Sequence, residues 1–278
     1  MGNHKNKFKK LILGQQNMLE ILFACKHFLV ASGRVVFRIG FLGLAFVVYF
    51  LQLFALGLQK KYLAVSLLEF FSRLLLHALG IRVSILDQNN SLYSKTSQSC
   101  IYIFNHRNPL DIFVIQGHLR MPGITTAGLP LGWVLPWFSL SASNAGHVLM
   151  NHTEKSSRRS AIHGASEVIR KYGCIIIAPN GSLKTSILQR VSASALILAR
   201  KHQSSIIPLF FSYSNLMISD QDLYKPLVIL GKRLSAPLAR IECAVGMTTD
   251  LDCPADSGDR EGFTRAVQAY YRKLQESG

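Results

Sequence analysis

The stretch "CIYIFNHRNPLDIFVI", residues 100–115, decides how the middle of the chain folds. His106 and Asp111 stand five residues apart, with Pro109 between them and apolar runs on both sides. On a continuous helix the two would sit about 140° apart. On a continuous strand their odd spacing would send them to opposite faces. They form a unit only if the chain changes element between them, and the local chemistry makes it do so. Cys100 to Phe104 is a short β-branched and aromatic run, the pattern of a buried strand. Asn108 is a good N-cap, and Pro109 suits the first helical position, where its missing N–H costs nothing. The residue before a proline is also pushed toward extended geometry, which sharpens the break. "LDIFVIQGHL" then reads as a helix with Asp111 in its first turn. A strand end carrying an imidazole and a helix start carrying a carboxylate make a base-and-orienter pair.

Outward from this point the chain alternates. "IRVSIL", "CIYIF", "CIIIA", "SIIPLF", "LVIL" and "ARIECAV" are short strand candidates, with helical stretches at 110–119, 158–171 and 187–202. Strands alternating with helices predict an α/β fold with a mixed, largely parallel sheet flanked by helices. "DREGFTRAVQAYYRKLQ" reads as a capped terminal helix with Phe263, Ala266, Val267, Tyr270, Tyr271 and Leu274 on one side, a stripe read as packing.

Toward the N-terminus the pattern changes. "FLGLAFVVYFLQLFALGL", residues 41–58, has Gln52 as its only polar residue, with Arg34 and Arg38 before it and Lys60 and Lys61 after it. Its 18 residues are the lower limit for a spanning helix. A single span and a hairpin dipping into one leaflet fit equally well, and a buried core helix is the alternative. Positive flanks on both sides give no orientation. The following segment, "YLAVSLLEFFSRLLLHALGI", has helical spacing and a thin polar stripe of Glu69, Arg73 and His77. The expected organisation is therefore residues 1–62 as basic, membrane-embedded helices and residues 63–278 as the α/β domain. No cleavable signal peptide is expected, and Asn6 breaks the myristoylation pattern.

Composition narrows the function classes. Hydrophobic residues make up 49% and charged residues 17%, which is apolar for a purely soluble protein. With 31 Lys and Arg against 15 Asp and Glu, the net charge is +16, a field that favours an anionic partner. Aromatic residues are not interleaved with the basic ones and no nucleic-acid motif is present, so lipid is preferred to nucleic acid. The cysteines, Cys25, Cys100, Cys174, Cys243 and Cys253, are odd in number and lack C-x-x-C spacing. They read as reduced core thiols, neither a disulfide framework nor a zinc site. A catalytic body facing the cytoplasm follows.

"NHRNPLD" resembles the NH-x4-D signature of the glycerolipid and lysophospholipid acyltransferase superfamily, the family of the 1-acylglycerol-3-phosphate acyltransferases. The likeness extends from about residue 65 to 213. "GHVLMNH", 146–152, stands in the place of the second block, usually G-x-x-F-I-x-R. "IIIAPNGSLKTS", 175–186, stands in the place of the third, usually F-P-E-G-T-R-S, and "SSIIPLFF", 204–211, resembles the fourth. The resemblance implies that His106 takes the proton of an acceptor hydroxyl as that hydroxyl attacks a thioester, with Asp111 orienting the imidazole. It assigns substrate contacts to Asn105 and Arg107 in the first block, and to Gly146 and His152 in the second. In the third and fourth it assigns them to Asn180, Gly181, Ser182, Lys184 and Pro208. Gly181 with Ser182 could offer backbone N–H groups to an oxyanion, or Pro179-Asn180-Gly181 could be a plain turn.

The departures are as informative as the matches. Where the family's third block has Glu and Arg, this chain has Asn180 and Leu183, with Lys184 as the nearest cation; the second-block Arg is His152. A site for ordinary lysophosphatidate would lose its bidentate grip on phosphate. The expectation is retained chemistry on a different acceptor. Lipid A is a candidate, since late lipid A acyltransferases share the superfamily, though many have Glu where this chain has Asp111. A further relative transfers glycine from a carrier-protein thioester to lipid A. No bound cofactor or metal is expected. The donor would be an acyl or aminoacyl thioester of phosphopantetheine, on an acidic carrier protein or CoA, and the location a bacterial inner membrane.

Other features carry blander readings. His77 falls on an interfacial helix stripe, and His118, His163 and His202 fall at exposed helix positions. His147 and His152 lack an acidic or thiol partner at metal-binding spacing. "KSSRR", 155–159, is a solvated helix start or a contact for carrier protein or phosphate. The competing whole-chain readings are a non-catalytic lipid-binding relative and a basic nucleic-acid-binding protein.

Overall fold

The computed structural model describes residues 30, 32–52, 54, 55, 58, 60–87, 92, 99–126, 146–150, 155–180, 186–216, 232, 233, 236–246 and 259–276. Helix α1 (Ser32–Gln52) is followed by α2 (Lys61–Ala78), β1 (Ile81–Leu86) and β2 (Cys100–Phe104). The chain continues through α3 (Asp111–Val114), a π-helical turn (Ile115–Leu119), β3 (Ile124–Thr126) and β4 (Val148–Met150). It closes with α4 (Lys155–Tyr172), β5 (Cys174–Ile177), α5 (Ser194–His202), β6 (Ser205–Ser214), β7 (Ala239–Val245) and α6 (Arg260–Glu276).

Five strands form the main sheet in the order β1-β7-β6-β2-β5. Every neighbouring pair is parallel except β6 with β7, so the sheet is mixed and largely parallel, as the alternation of strands and helices predicts. β2 shows why its sequence is almost continuously apolar: both faces are covered. Ile101 and Ile103 point to one side, with Ile169, Leu198, Phe263 and Tyr271 from the helices there. Tyr102 and Phe104 point to the other, with Leu68, Phe71 and Phe113. The period of two in the strand thus feeds two separate cores. The terminal-helix stripe packs as expected: Phe263, Val267 and Tyr271 are buried, and the Tyr271 hydroxyl lies 2.9 Å from the carbonyls of both Ile103 and Leu209.

The structure corrects several expectations. The helix expected over 187–202 begins only at Ser194; Gln189 and Arg190 instead fold back in a turn onto the Ser186 carbonyl. The helix expected over 110–119 widens to a π turn after Val114, where Gly117 packs directly on Ser72 and Arg73 of α2. The strand candidate "LVIL" and the cysteines Cys25 and Cys253 lie outside the described residues. His202 is half-buried, its Nε2 2.7 Å from the Ser166 hydroxyl, and His118 is likewise partly covered.

The apolar N-terminal helix starts earlier than the 41–58 run implies, because Arg34 and Arg38 belong to it. Arg38 is buried, and its guanidinium donates to the carbonyls of Arg233 (2.5 Å) and Ala236 (2.7 Å). Ala45, Val48 and Tyr49 of α1 pack with Leu68 and Phe71 of α2. The opposite side of the N-terminal segment stays bare, with Val36 71%, Phe50 64% and Phe54 68% exposed. That exposure rules against a buried core helix, since α1 is long and apolar enough to cross a membrane and mostly uncovered.

Candidate active site

The site forms where β2 ends. After Phe104 the chain turns, and the Asn108 side chain accepts the N–H of Leu110 at 3.0 Å while its carbonyl accepts that of Asp111 at 3.1 Å. The regular helix begins two residues later than an Asn108 cap predicts, within the ordinary spread of helix ends, but the capping contact is present. Asp111 is the first helical residue and is fully buried.

The change of element brings the two side chains together. His106 Nδ1 lies 2.8 Å from Asp111 Oδ2, and the same oxygen accepts the backbone N–H groups of Arg107 (3.3 Å) and Asn108 (3.2 Å). A carboxylate can only accept, so Nδ1 carries the proton and Nε2 keeps the basic lone pair. The imidazole is 23% exposed and its partner 1%, the arrangement of a base that can meet a reactant while its orienting acid cannot.

The second carboxylate oxygen is held by a residue that sequence reading did not single out. Tyr213 on β6 donates its hydroxyl to Asp111 Oδ1 at 2.7 Å. Burial, and then the charge of Asp111, push the Tyr213 hydroxyl well above the usual phenol range, so it stays protonated and donates. Cys243, on the neighbouring strand β7, is also pushed up, first by burial and then by Asp111. It is an inert core thiol. Tyr213 was within two residues of the fourth block, but no local pattern marks a tyrosine that bonds across 102 positions.

The other site residues divide into three groups. Asn105 is buried and both ends of its amide engage Phe211: Nδ2 donates to the carbonyl at 2.9 Å and Oδ1 accepts the N–H at 2.7 Å. Asn180 is also buried, and its Nδ2 donates to the His106 carbonyl at 2.7 Å. These two amides fasten the His106 loop to β6 and to the end of β5. Arg107 is exposed beside the pair. Pro208 lies in β6 in register with Ile103, its carbonyl accepting the Gly246 N–H. Gly146 (φ +89°) leaves room for the Tyr172 ring, which a Cβ would meet at 2.8 Å, so it shapes packing before β4. His152, Gly181, Ser182 and Lys184 lie outside the described residues.

His147 is buried beneath this region, its Nε2 2.6 Å from Gln116 Oε1, and burial pushes its imidazole down to about 4. A neutral ring donating to an amide oxygen is a core histidine. Among the described residues no group of three or more His, Cys, Asp or Glu could hold a metal ion.

Residues 80–212 match the Acyltransferase family model. Among solved structures, the chain is similar to the 1-acyl-sn-glycerophosphate (LPA) acyltransferase PlsC from Thermotoga maritima, with a TM-score of 0.57 and 16% identity. That match covers 87% of this chain and 96% of the other, and at such identity it speaks for the fold. No curated protein matches the chain by sequence. Residues 80–212 therefore carry an acyltransferase domain, and the chain as a whole shares the fold of PlsC.

Proposed function

We propose that the protein transfers an acyl or aminoacyl group from a phosphopantetheine thioester to a lipid hydroxyl, with His106 as general base and Asp111 as its orienting acid. The observation that carries this reading is the 2.8 Å contact between a partly exposed imidazole and a fully buried carboxylate. Nε2 takes the acceptor's hydroxyl proton as the oxygen attacks the thioester carbonyl. The tetrahedral intermediate then expels the thiolate, which recovers the proton from the imidazolium. A positioned base of this kind is worth about 10²–10⁴ in rate.

The acceptor is a lipid other than ordinary lysophosphatidate. Asn180 and Leu183 stand where relatives have Glu and Arg, and Asn180 is bonded to the His106 backbone. Lipid A is the first acceptor to test, with glycyl as well as fatty acyl donors. The net charge of +16 suits an acidic carrier protein and an anionic lipid surface. The bare apolar side of α1 supports membrane attachment, with the catalytic domain on the cytoplasmic side of a bacterial inner membrane.

The test mixes the purified protein with labelled acyl-carrier, glycyl-carrier and acyl-CoA donors, each with lipid A or lysophospholipid, and reads the lipids by mass spectrometry. His106→Ala and Asp111→Ala should abolish product at normal protein levels. Unchanged product in both variants removes the base-pair reading, and product only with lysophosphatidate removes the altered acceptor.

A further inference from the structure

β6 touches the catalytic loop twice, with backbone at one residue and a side chain two residues on. Phe211 exchanges two backbone hydrogen bonds with the Asn105 amide, and Tyr213 reaches the Asp111 carboxylate. Residues two apart in a strand share a face, so Tyr213 points to the same side of β6 as Phe211, whose backbone the Asn105 amide holds. β6 pairs with β2 over Ser205–Leu209 and with β7 over Leu209–Ser214, where Tyr213 is in register with Ile241. Its hydroxyl therefore approaches from the rigid sheet, whereas every donor to Oδ2 comes from the loop itself.

This division has a chemical consequence. A carboxylate held at one oxygen can rotate about its terminal bond; held at both, by donors from two different elements, its plane is fixed. The fixed plane sets the direction in which Asp111 presents Oδ2 to Nδ1. A donor on Oδ1 also draws negative charge away from the oxygen facing the imidazole. Both effects act on His106 through Asp111, because the Tyr213 hydroxyl is bonded to the carboxylate oxygen that His106 does not touch.

We propose that Tyr213 is a positioning residue of the acyl-transfer site, holding the plane of Asp111 and tempering the basicity of His106. The proposal rests on the His106–Asp111 reading given above. The other titratable groups facing this cluster, among the described residues, are Arg107 on the same loop and Cys243 on β7, with Asp87 beyond Cys243. The imidazole itself packs edge-on against the Phe104 ring. Burial holds the Cys243 thiol neutral, so it does not titrate in the range where an imidazole does.

The test uses the full chain in detergent micelles and does not depend on knowing the substrate. Diethyl pyrocarbonate reacts with neutral imidazole, and peptide mapping of His106 against pH gives the midpoint of its deprotonation. In Tyr213→Phe the carboxylate regains its full charge toward Nδ1, and the His106 midpoint should rise by about 0.5 pH unit. A 3-fluorotyrosine at position 213, whose more acidic hydroxyl donates more strongly, should move it the other way. Turnover of whichever thioester His106→Ala inactivates should fall about tenfold in kcat in Tyr213→Phe, with KM little changed, as expected for lost orientation near the reacting group. A midpoint that stays put or falls in Tyr213→Phe overturns the proposal, as does an unchanged kcat while His106→Ala is dead. Full activity in His106→Ala instead strikes the base-pair reading and leaves the titration result to judge Tyr213 by itself.

Discussion

The Asn180 amide nitrogen lies 2.7 Å from the carbonyl oxygen of His106, joining loops 74 positions apart in sequence. A carbonyl can only accept, so the residue at 180 must donate. The glutamate common at this place in relatives could not make this bond in its ionised form.

Asn180→Asp should therefore cost more than a lost contact, because it sets a carboxylate against a carbonyl in a buried site. We expect a loss of about 1–3 kcal/mol in stability, read by thermal unfolding in detergent, together with a drop in kcat. An Asn180→Asp variant as stable and active as the parent would show that the bond does not hold the loop.

Asp111→Asn should be worse than its small change in shape implies. Oδ2 accepts three donors, so the amide must keep its oxygen there and turn its nitrogen to the Tyr213 hydroxyl, and the negative charge that stabilises an imidazolium is lost. The rate should fall by about 10²–10⁴, with a lowered melting temperature. Steady-state kinetics beside calorimetry checks both, and a normal rate at normal stability contradicts the assigned role.

Arg233 and Arg38 join the N-terminal helix to the domain. Arg233, fully buried, donates to the carbonyls of Leu79, Gly80, Asn215, Leu216 and Pro237, and its own carbonyl accepts from Arg38. Arg233→Met strips the donor from several buried carbonyls at once and should destabilise by at least about 3 kcal/mol. Gly80→Ala should loosen the same joint, since Gly80 has φ +65° and an added Cβ would overlap the Arg38 guanidinium. Limited proteolysis between α1 and α2 is the readout; wild-type resistance in both variants argues against a shared anchor.

His147 gives a pH signature. Its folded-state value is lowered to about 4, below the ordinary 6.5, because burial disfavours the charged ring. At pH above 6.5 both states hold it neutral and it contributes no pH dependence. As pH falls from 6.5 toward 4 the unfolded chain takes up the proton first, so stability is lost across that window, by about 3 kcal/mol in total. His147→Gln should flatten the stability profile there, measured by unfolding at pH 7.5, 6, 5 and 4.

Local patterns were enough for the strand, the break and the helix of residues 100–115, because capping, proline geometry and alternation act over a few residues. The same holds for β1, β5, β7 and the amphipathic terminal helix. Helix starts were less legible: apolar spacing over 187–202 looks helical throughout, yet the chain turns at 186–190 before α5 begins. Arg38 reads as a membrane-flanking charge from sequence, since nothing local reveals the carbonyls of Arg233 and Ala236 waiting for it.

The amino-acid order by itself determined the His106–Asp111 pair, the two-faced burial of β2 and the apolar N-terminal helix. Each follows from neighbours within about one helical turn or strand length. Only the tertiary structure decided that Tyr213 holds the second oxygen of Asp111 and that Asn180 grips the His106 carbonyl. Those contacts depend on strand order and register, which bring together residues 102 and 74 positions apart. No local preference encodes such distances; the packing of the whole sheet sets them.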